Sequence, residues 1–113
     1  MKFEKPSQEM LTWFENHAPE GSSISKRKMF GYPCRFFNNN MFIGLFESQV
    51  FLRLSSHDKE EFLQIDGAEQ FKPLPGKIMK EYVIIPSKIL TNEDKLKQWI
   101  TRSIQYVATL PPK

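Results

Sequence analysis

The chain has 113 residues, of which 40% are hydrophobic and 26% charged, with a formal net charge of +3 at pH 7. These values predict one soluble globular domain spanning residues 1–113, and the mild positive charge permits contact with nucleic acid or acidic partners without requiring it. A single cysteine, Cys34, excludes an intramolecular disulfide. No stretch approaches the roughly 18 apolar residues of a membrane span, so we expect a cytoplasmic protein without membrane association.

The first predicted element is a helix from Pro6 to His17. Proline suits the first turn of a helix, and the following Pro19 and Gly21 end it. The apolar positions recur with helical spacing, at Met10, Trp13, Phe14 and His17.

A three-stranded antiparallel meander is predicted between Lys26 and Ser55. Its last two strands are the short apolar runs at 41–46 and 50–54, joined by the polar turn at 47–49. The triple asparagine at 38–40 predicts the preceding hairpin turn, because asparagine tolerates the left-handed backbone conformation. Gly31 and Pro33 interrupt the first strand region, which leaves one bent strand or two short pieces as alternatives.

The last two predicted strands of the meander carry aliphatic side chains on one face of the sheet and aromatic side chains on the other. One face has Phe42, Phe46 and Phe51, where a solvated sheet face would show polar residues. Two explanations remain open. Either helices cover this face and the three rings belong to the core, which we favour, or the rings form an interface with another protein or a second copy of the chain.

Three further elements follow the meander before a final helix. A second helix is predicted from His57 to Asp66 with Ser55 or Ser56 as its cap, and Thr91 is the expected N-cap of the last helix. Between these helices, strands are expected at 71–74, as a short edge strand, and at 81–85. The predicted fold is therefore α+β, a two-layer arrangement with an antiparallel five-stranded sheet in the order α-β3-α-β2-α.

Five segments together resemble one known family, the TfoX N-terminal domain (TfoX/Sxy-like) family. The resemblance covers about residues 22 to 113. Many family members have a second glycine where this chain has Tyr32. The segments that carry the resemblance are RKMFGYP (27–33), MFIGLF (41–46), VFLRLS (50–55), GAEQFKPLPGKIMKEYVIIP (67–86) and YVATLPPK (106–113).

The resemblance implies a fold and a role. The family fold has the α-β3-α-β2-α order, and its namesakes are bacterial regulators of natural competence that act with a transcription factor. Those proteins carry a second, C-terminal domain, and this chain ends where that domain would begin, which predicts a stand-alone member. The family supplies no catalytic residues, so we expect a regulatory domain that is not an enzyme and acts by binding a protein partner.

No motif in the sequence indicates a cofactor or a metal. His17 and His57 are far apart and match no metal-binding spacing, and the glycines form no phosphate-binding loop. Cys34 is the one candidate nucleophile, and Lys28 and Arg35 are candidates for the positive field that would lower its pKa. A lone cysteine in a strand is more often a packing residue, so an enzyme using Cys34 is the least favoured hypothesis.

The best candidate for direct contact with nucleic acid is a basic run beside aromatic residues. Its positive charges would meet phosphates, and its rings would stack on bases. This nucleic-acid module is the alternative to the protein-interaction domain. The candidate contact residues for either role are Lys26, Arg27, Lys28, Tyr32, Arg35, Phe42, Phe46 and Phe51. A second basic group, Lys72, Lys77, Lys80 and Lys88, is expected either to join this run in space or to lie apart from it.

Overall fold

The fold is an α+β arrangement around one antiparallel sheet, seen in a computed structural model that describes residues 5–73, 76 and 78–113. The sheet order is β1-β2-β3-β4-β6-β5. The α+β class is confirmed, but the five-stranded sheet and the α-β3-α-β2-α order are wrong, because the described residues form six strands and four helices. In chain order they are α1 (Gln8–His17), β1 (Ile24–Met29), β2 (Tyr32–Phe37), β3 (Asn40–Phe46), β4 (Gln49–Arg53), α2 (Ser56–Leu63), β5 (Glu69–Gln70), β6 (Tyr82–Ile84), α3 (Ser87–Leu90) and α4 (Glu93–Val107).

The additional strand arises at the β1–β2 hairpin. Phe30 and Gly31 both have positive φ, 56° and 84°, and they form a two-residue turn between the paired residues Met29 and Tyr32. The region before the asparagine turn therefore forms two strands. This confirms the second of the two alternatives, two short pieces in place of one bent strand. Pro33 fits inside β2 because the pairing of β2 with β3 begins only at the next residue, so the missing proline N–H lies where β2 has a single neighbour.

The other two tight turns agree with the sequence. Asn38 and Asn39 have φ of 49° and 63° and connect β2 to β3, which confirms the predicted asparagine turn. Glu47, with φ of 55°, begins the turn between β3 and β4. β1 to β4 thus form one continuous antiparallel meander.

The core includes a row of residues that lie opposite one another across the sheet. Cys34 pairs with Gly44, Gly44 with Phe51, and Phe51 with Ile84. The Phe51 ring stacks on the ring of Phe71 with centroids 4.6 Å apart. Phe71, which directly follows β5, therefore covers part of the aromatic face of the sheet.

The strands β5 and β6 differ in position from the two strands that the sequence predicts after the second helix. β5 comprises Glu69–Gln70, so it ends before the predicted strand at 71–74, of which Leu74 lies outside the described residues. Phe71 instead exchanges backbone hydrogen bonds with Met79 and Tyr82. β6 is shorter than the predicted strand at 81–85, but the backbone N–H of Ile85 donates to the carbonyl oxygen of Val50 on β4 and so continues the β4–β6 register beyond Ile84.

Each of the three longer helices begins at a residue whose side chain accepts a backbone hydrogen bond. Ser7 caps α1 and Ser55 caps α2, the latter as predicted. For α4 the predicted cap is wrong: Asn92 accepts from the N–H of Lys95, whereas Thr91 ends the short helix α3. α4 packs its apolar stripe against β3, β4 and α3. None of the helices in the described residues has the length and apolar character needed to cross a bilayer.

Candidate interaction surface at the sheet edge

The basic residues Lys26, Arg27 and Lys28 lie on β1, the terminal strand of the sheet. All three side chains are exposed. β1 pairs with β2 alone among the described strands, so one side of its backbone has no strand neighbour. Such an edge can accept an extended segment of another protein through main-chain hydrogen bonds. We call β1 with these three side chains the basic edge.

The strand register divides these charges between the two faces of the sheet. Lys26 lies opposite Arg35, and Arg27 lies opposite Cys34. Residues directly opposite in an antiparallel pair point to the same face, and neighbours along a strand alternate. Lys26 and Lys28 therefore share a face with Arg35, while Arg27 lies on the aromatic face. Lys26, Arg27 and Lys28 are consecutive in the sequence, but their side chains do not form one basic patch on a single face.

On the Arg35 face, acidic residues from α1 and the following loop neutralise part of the positive charge. The Lys26 Nζ atom lies 2.7 Å from Glu20 Oε1 and 3.9 Å from Glu15 Oε2. Nη2 of Arg35 lies 3.4 Å from Glu15 Oε1, and only 1% of Arg35 is exposed. Arg35 is thus covered by α1 and does not present its charge to an external ligand, contrary to its predicted role as a surface contact.

Arg27 and Lys28 carry the accessible charge of the basic edge. The Arg27 guanidinium lies 4.6 Å from the centroid of the Phe36 ring and donates a hydrogen bond to Oδ1 of Asn39. Lys28 borders an open cleft of about 460 Å³ between α1 and the β1–β2 hairpin, opposite Glu15. In the described part of the chain, neither Arg27 nor Lys28 forms an ion pair with an acidic residue.

The aromatic residues proposed as contacts are inside the protein. Tyr32, Phe42, Phe46 and Phe51 are all at most 4% exposed. Their burial agrees with the favoured explanation that the aromatic face is core, and it removes these four rings from any contact surface of the single chain. Phe30 at the β1–β2 turn is the exposed aromatic side chain of this region, with half of its surface accessible, and its ring contacts Phe46 edge-on.

Cys34 lacks the environment of a nucleophile. The thiol is buried, and it donates a weak hydrogen bond to the carbonyl oxygen of Arg27 at 3.4 Å. Burial raises the pKa of Cys34 to about 11, and the positive charges of Arg35 and Arg27 oppose this rise without overcoming it. The thiol therefore stays protonated at neutral pH, and Cys34 is a packing residue.

A polar cluster that sequence reasoning missed ties β4 and β6 to α4. Glu81 accepts hydrogen bonds from Arg53, at 2.8 Å from Nε, and from the hydroxyl of Tyr106. Partial burial would raise the pKa of Glu81, but the hydrogen bonds from Tyr106 and Arg53 outweigh it and lower that pKa below its ordinary value. Ser103 adds a hydrogen bond to the carbonyl oxygen of Arg53 at 2.6 Å. A spacing of 28 residues between Arg53 and Glu81 gives no local sequence signal for this cluster.

We expect Glu81→Gln to destabilise the protein more at pH 7 than at pH 3. A carboxyl group whose pKa is lower in the folded state stabilises that state above its unfolded pKa of about 4.3, and the contribution is lost as the pH falls through the folded value. Urea unfolding of both proteins at the two pH values measures the difference. Glu60→Gln, at an exposed position outside the polar cluster, is the control for the loss of one negative charge. An equal cost of Glu81→Gln at both pH values would contradict the assigned role.

The remaining predicted groups lie apart from the basic edge or from one another. Lys72 borders a cleft beside β5 and β6, at the far end of the sheet order from β1. Lys88 lies 3.1 Å from Asp66, Lys80 is exposed, and Lys77 is outside the described residues. In the described part of the chain, no three acidic, histidine or cysteine side chains are grouped as metal ligands would be.

Most of the chain matches the model of a known protein family. The model of the TfoX N-terminal domain family matches residues 17–107, which include β1 to β6, α2, α3 and all of α4. The match extends over most of the chain and includes the whole basic edge. No curated protein sequence matches the chain.

Proposed function

This chain belongs to the TfoX N-terminal domain family, and on that premise we propose that it is a small regulatory domain that acts by binding another protein. The family resemblance makes a transcription factor the class of partner to test first. We assign the contact to the basic edge. The partner segment that fits it is extended and acidic, so that it adds to β1 through backbone hydrogen bonds and meets the side chains of Arg27 and Lys28.

The observation that carries this proposal is the exposed edge of β1 with its accessible charges. Lysine on an edge strand also discourages unwanted pairing between strands, which is its ordinary role on a protein surface. An acidic partner segment would neutralise the charges that produce this repulsion. The same charges that keep the edge free of neutral strands would therefore select an acidic one.

A protein partner is better supported than nucleic acid. Binding of single-stranded nucleic acid uses aromatic rings on which bases stack. Tyr32, the ring predicted to act together with the basic run, is 3% exposed, and the half-exposed ring of Phe30 lies at the hairpin turn, beyond the end of β1. The proposed role is binding and assigns no chemical step to the buried thiol of Cys34.

We expect the double substitution Arg27→Glu/Lys28→Glu to abolish partner capture. The wild-type chain and the variant are immobilised and exposed to a lysate of the source organism, and the captured proteins are identified by mass spectrometry at several salt concentrations. Reversal of two charges at the contact should reduce capture by ~10-fold or more, since like charges placed together disfavour association by several kcal/mol.

A variant with the same change in net charge serves as the control. Lys80→Glu/Lys95→Glu replaces two exposed lysines elsewhere on the chain and should capture the partner as the wild type does. The proposal is contradicted if wild type captures nothing above background, or if both double variants lose the partner equally. Nucleic acid recovered in place of protein, with steep loss at high salt, would favour the alternative function.

A further inference from the structure

The helix α1 is anchored to the rest of the protein by few side chains. Of the ten residues in α1, only Phe14 is buried. Met10, Leu11 and Trp13 also pack toward the core but remain partly exposed. α1 also ends where the family match begins, at residue 17. A helix held mainly through one buried ring has a small local stability.

Among the described residues, clefts border α1 on three sides. One cleft of about 390 Å³ separates its C-terminal end from α4, and another of about 460 Å³ separates it from the β1–β2 hairpin. A third, of about 260 Å³, lies between α1 and α3. Atoms that line such clefts lack packing partners on one side, so they contribute less dispersion attraction than atoms in a filled core. The surface on which α1 lies is therefore wider than the helix that occupies it.

A buried arginine with incomplete hydrogen bonding lies beneath α1. In the described part of the chain, Nε of Arg35 has no hydrogen-bond partner. Its Nη atoms reach the carbonyl oxygen of Cys34 and the carboxylate of Glu15, both at 3.4 Å, which is long for a charged pair. The guanidinium also lies 5.0 Å from the centroid of the Phe14 ring. A carboxylate placed closer would satisfy this arginine better than Glu15 does.

We propose that α1 is a displaceable helix and that its seat is a docking site for an amphipathic helix of a protein partner. We define the seat as the surface under α1, with Arg35 at its centre and the facing residues Leu90 of α3 and Ile100 of α4 at its rim. This surface adjoins the basic edge and shares Lys26 and Lys28 with it, but the inference is drawn from the fit of α1 and does not rest on the proposed function. Displacement of α1 uncovers Arg35 and releases its ion pair with Glu15.

The chemistry of the partner helix follows from the helix that now fills the seat. α1 presents an aromatic ring, Phe14, followed directly by an acid, Glu15, and both meet Arg35. Lys26 adds a second positive charge to the same face. A partner helix with an aromatic residue and an adjacent acid would reproduce these contacts, and bulkier apolar residues beside them would fill the clefts that α1 leaves open.

A competition experiment on the full chain tests the proposal. A fluorescent peptide with the sequence of residues 5–20 is titrated into the wild type and into Phe14→Ala. The attached helix competes at an effective concentration in the millimolar range, so the wild type should bind the peptide weakly. Phe14→Ala weakens the attached helix, and its affinity for the peptide should rise ~10-fold or more, since burial of this ring is the main anchor.

The controls distinguish docking at the seat from nonspecific binding of the peptide. Thr12→Ala, at an exposed position of α1, should bind the peptide as weakly as the wild type. A peptide that itself carries Phe14→Ala should bind neither protein. Light scattering should give the mass of one chain with one peptide; a dimer of chains without peptide would mean exchange of α1 between copies and would overturn the proposal, as would absence of peptide binding to Phe14→Ala.

A second measurement needs no variant and covers the case in which Phe14→Ala fails to fold. Hydrogen exchange of the wild type should show α1 amides opening ~100-fold or more often than the amides of β3, because a local opening needs less free energy than global unfolding. Equal protection of α1 and β3 would mean that α1 leaves its seat only when the whole domain unfolds. That result would overturn the inference whatever the peptide does.

Discussion

Gly44→Ala is expected to destabilise the protein by about 2–3 kcal/mol, although alanine is ordinarily the better residue in a strand. A Cβ atom at Gly44 would lie 2.3 Å from Cζ of Phe51 and 3.0 Å from Cβ of Cys34. The Phe51 ring has no room to move, because it is fully buried and stacks on Phe71. The cost comes from forcing these side chains out of their packed positions, and urea denaturation measures it.

Two further proteins test the cause of that destabilisation. In a Phe51→Leu background the nearest ring atoms are absent, so the added methyl should cost ~1–2 kcal/mol less than it does in the wild type. Gly76→Ala meets no atom within 4 Å and should cost about 1 kcal/mol through its positive φ alone. A cost of Gly44→Ala below about 0.5 kcal/mol would show that Phe51 does not pack on this glycine.

The parts of the fold that the sequence predicts are those set by local chemistry. The consecutive asparagines at 38–40 favour a left-handed turn in any context, and the structure has the turn there. The β1–β2 hairpin was not resolved by sequence because its turn places Phe30, a bulky residue, at positive φ. Pro33 also argued against a strand interior, and only the offset between β2 and β3 shows why it is tolerated.

The candidate site could be predicted in composition but not in arrangement. The exposure of Lys26 and Lys28 follows from their charge, whereas the side of the sheet each occupies depends on a register that the sequence left open. Burial of Arg35 requires α1 to fold over the sheet and to bring Glu15, twenty positions earlier, against it. Such contacts are set by tertiary packing, which no short sequence pattern records.

Substitutions of Arg35 are expected to have the second large effect on stability, because the charged guanidinium group of this side chain is buried. Arg35→Glu is expected to cost about 3–5 kcal/mol, since it places a buried carboxylate against Glu15. Arg35→Met should stay within about 1 kcal/mol of the wild type or be more stable, because a well-packed apolar side chain avoids the cost of removing a charge from water. Urea denaturation at neutral pH compares the three proteins.

Glu15→Gln shows whether the ion pair between Arg35 and Glu15 accounts for the stability changes of the Arg35 variants. It should cost less than Arg35→Glu, because the Glu15 side chain is 54% exposed and solvent screens its charge. In the Arg35→Met background the same change should cost less still, since Arg35 is gone and Lys26, with its Nζ atom 3.9 Å from Glu15 Oε2, is the cation that remains. If Arg35→Met were as destabilising as Arg35→Glu, the guanidinium would hold the fold together through its charge, and a role in recognition would not be needed to explain it. The other outcome is that Arg35→Met is as stable as the wild type but binds the peptide of residues 5–20 and its Glu15→Gln form equally well. In that case the buried charge of Arg35 selects which helix occupies the seat and does not stabilise the domain.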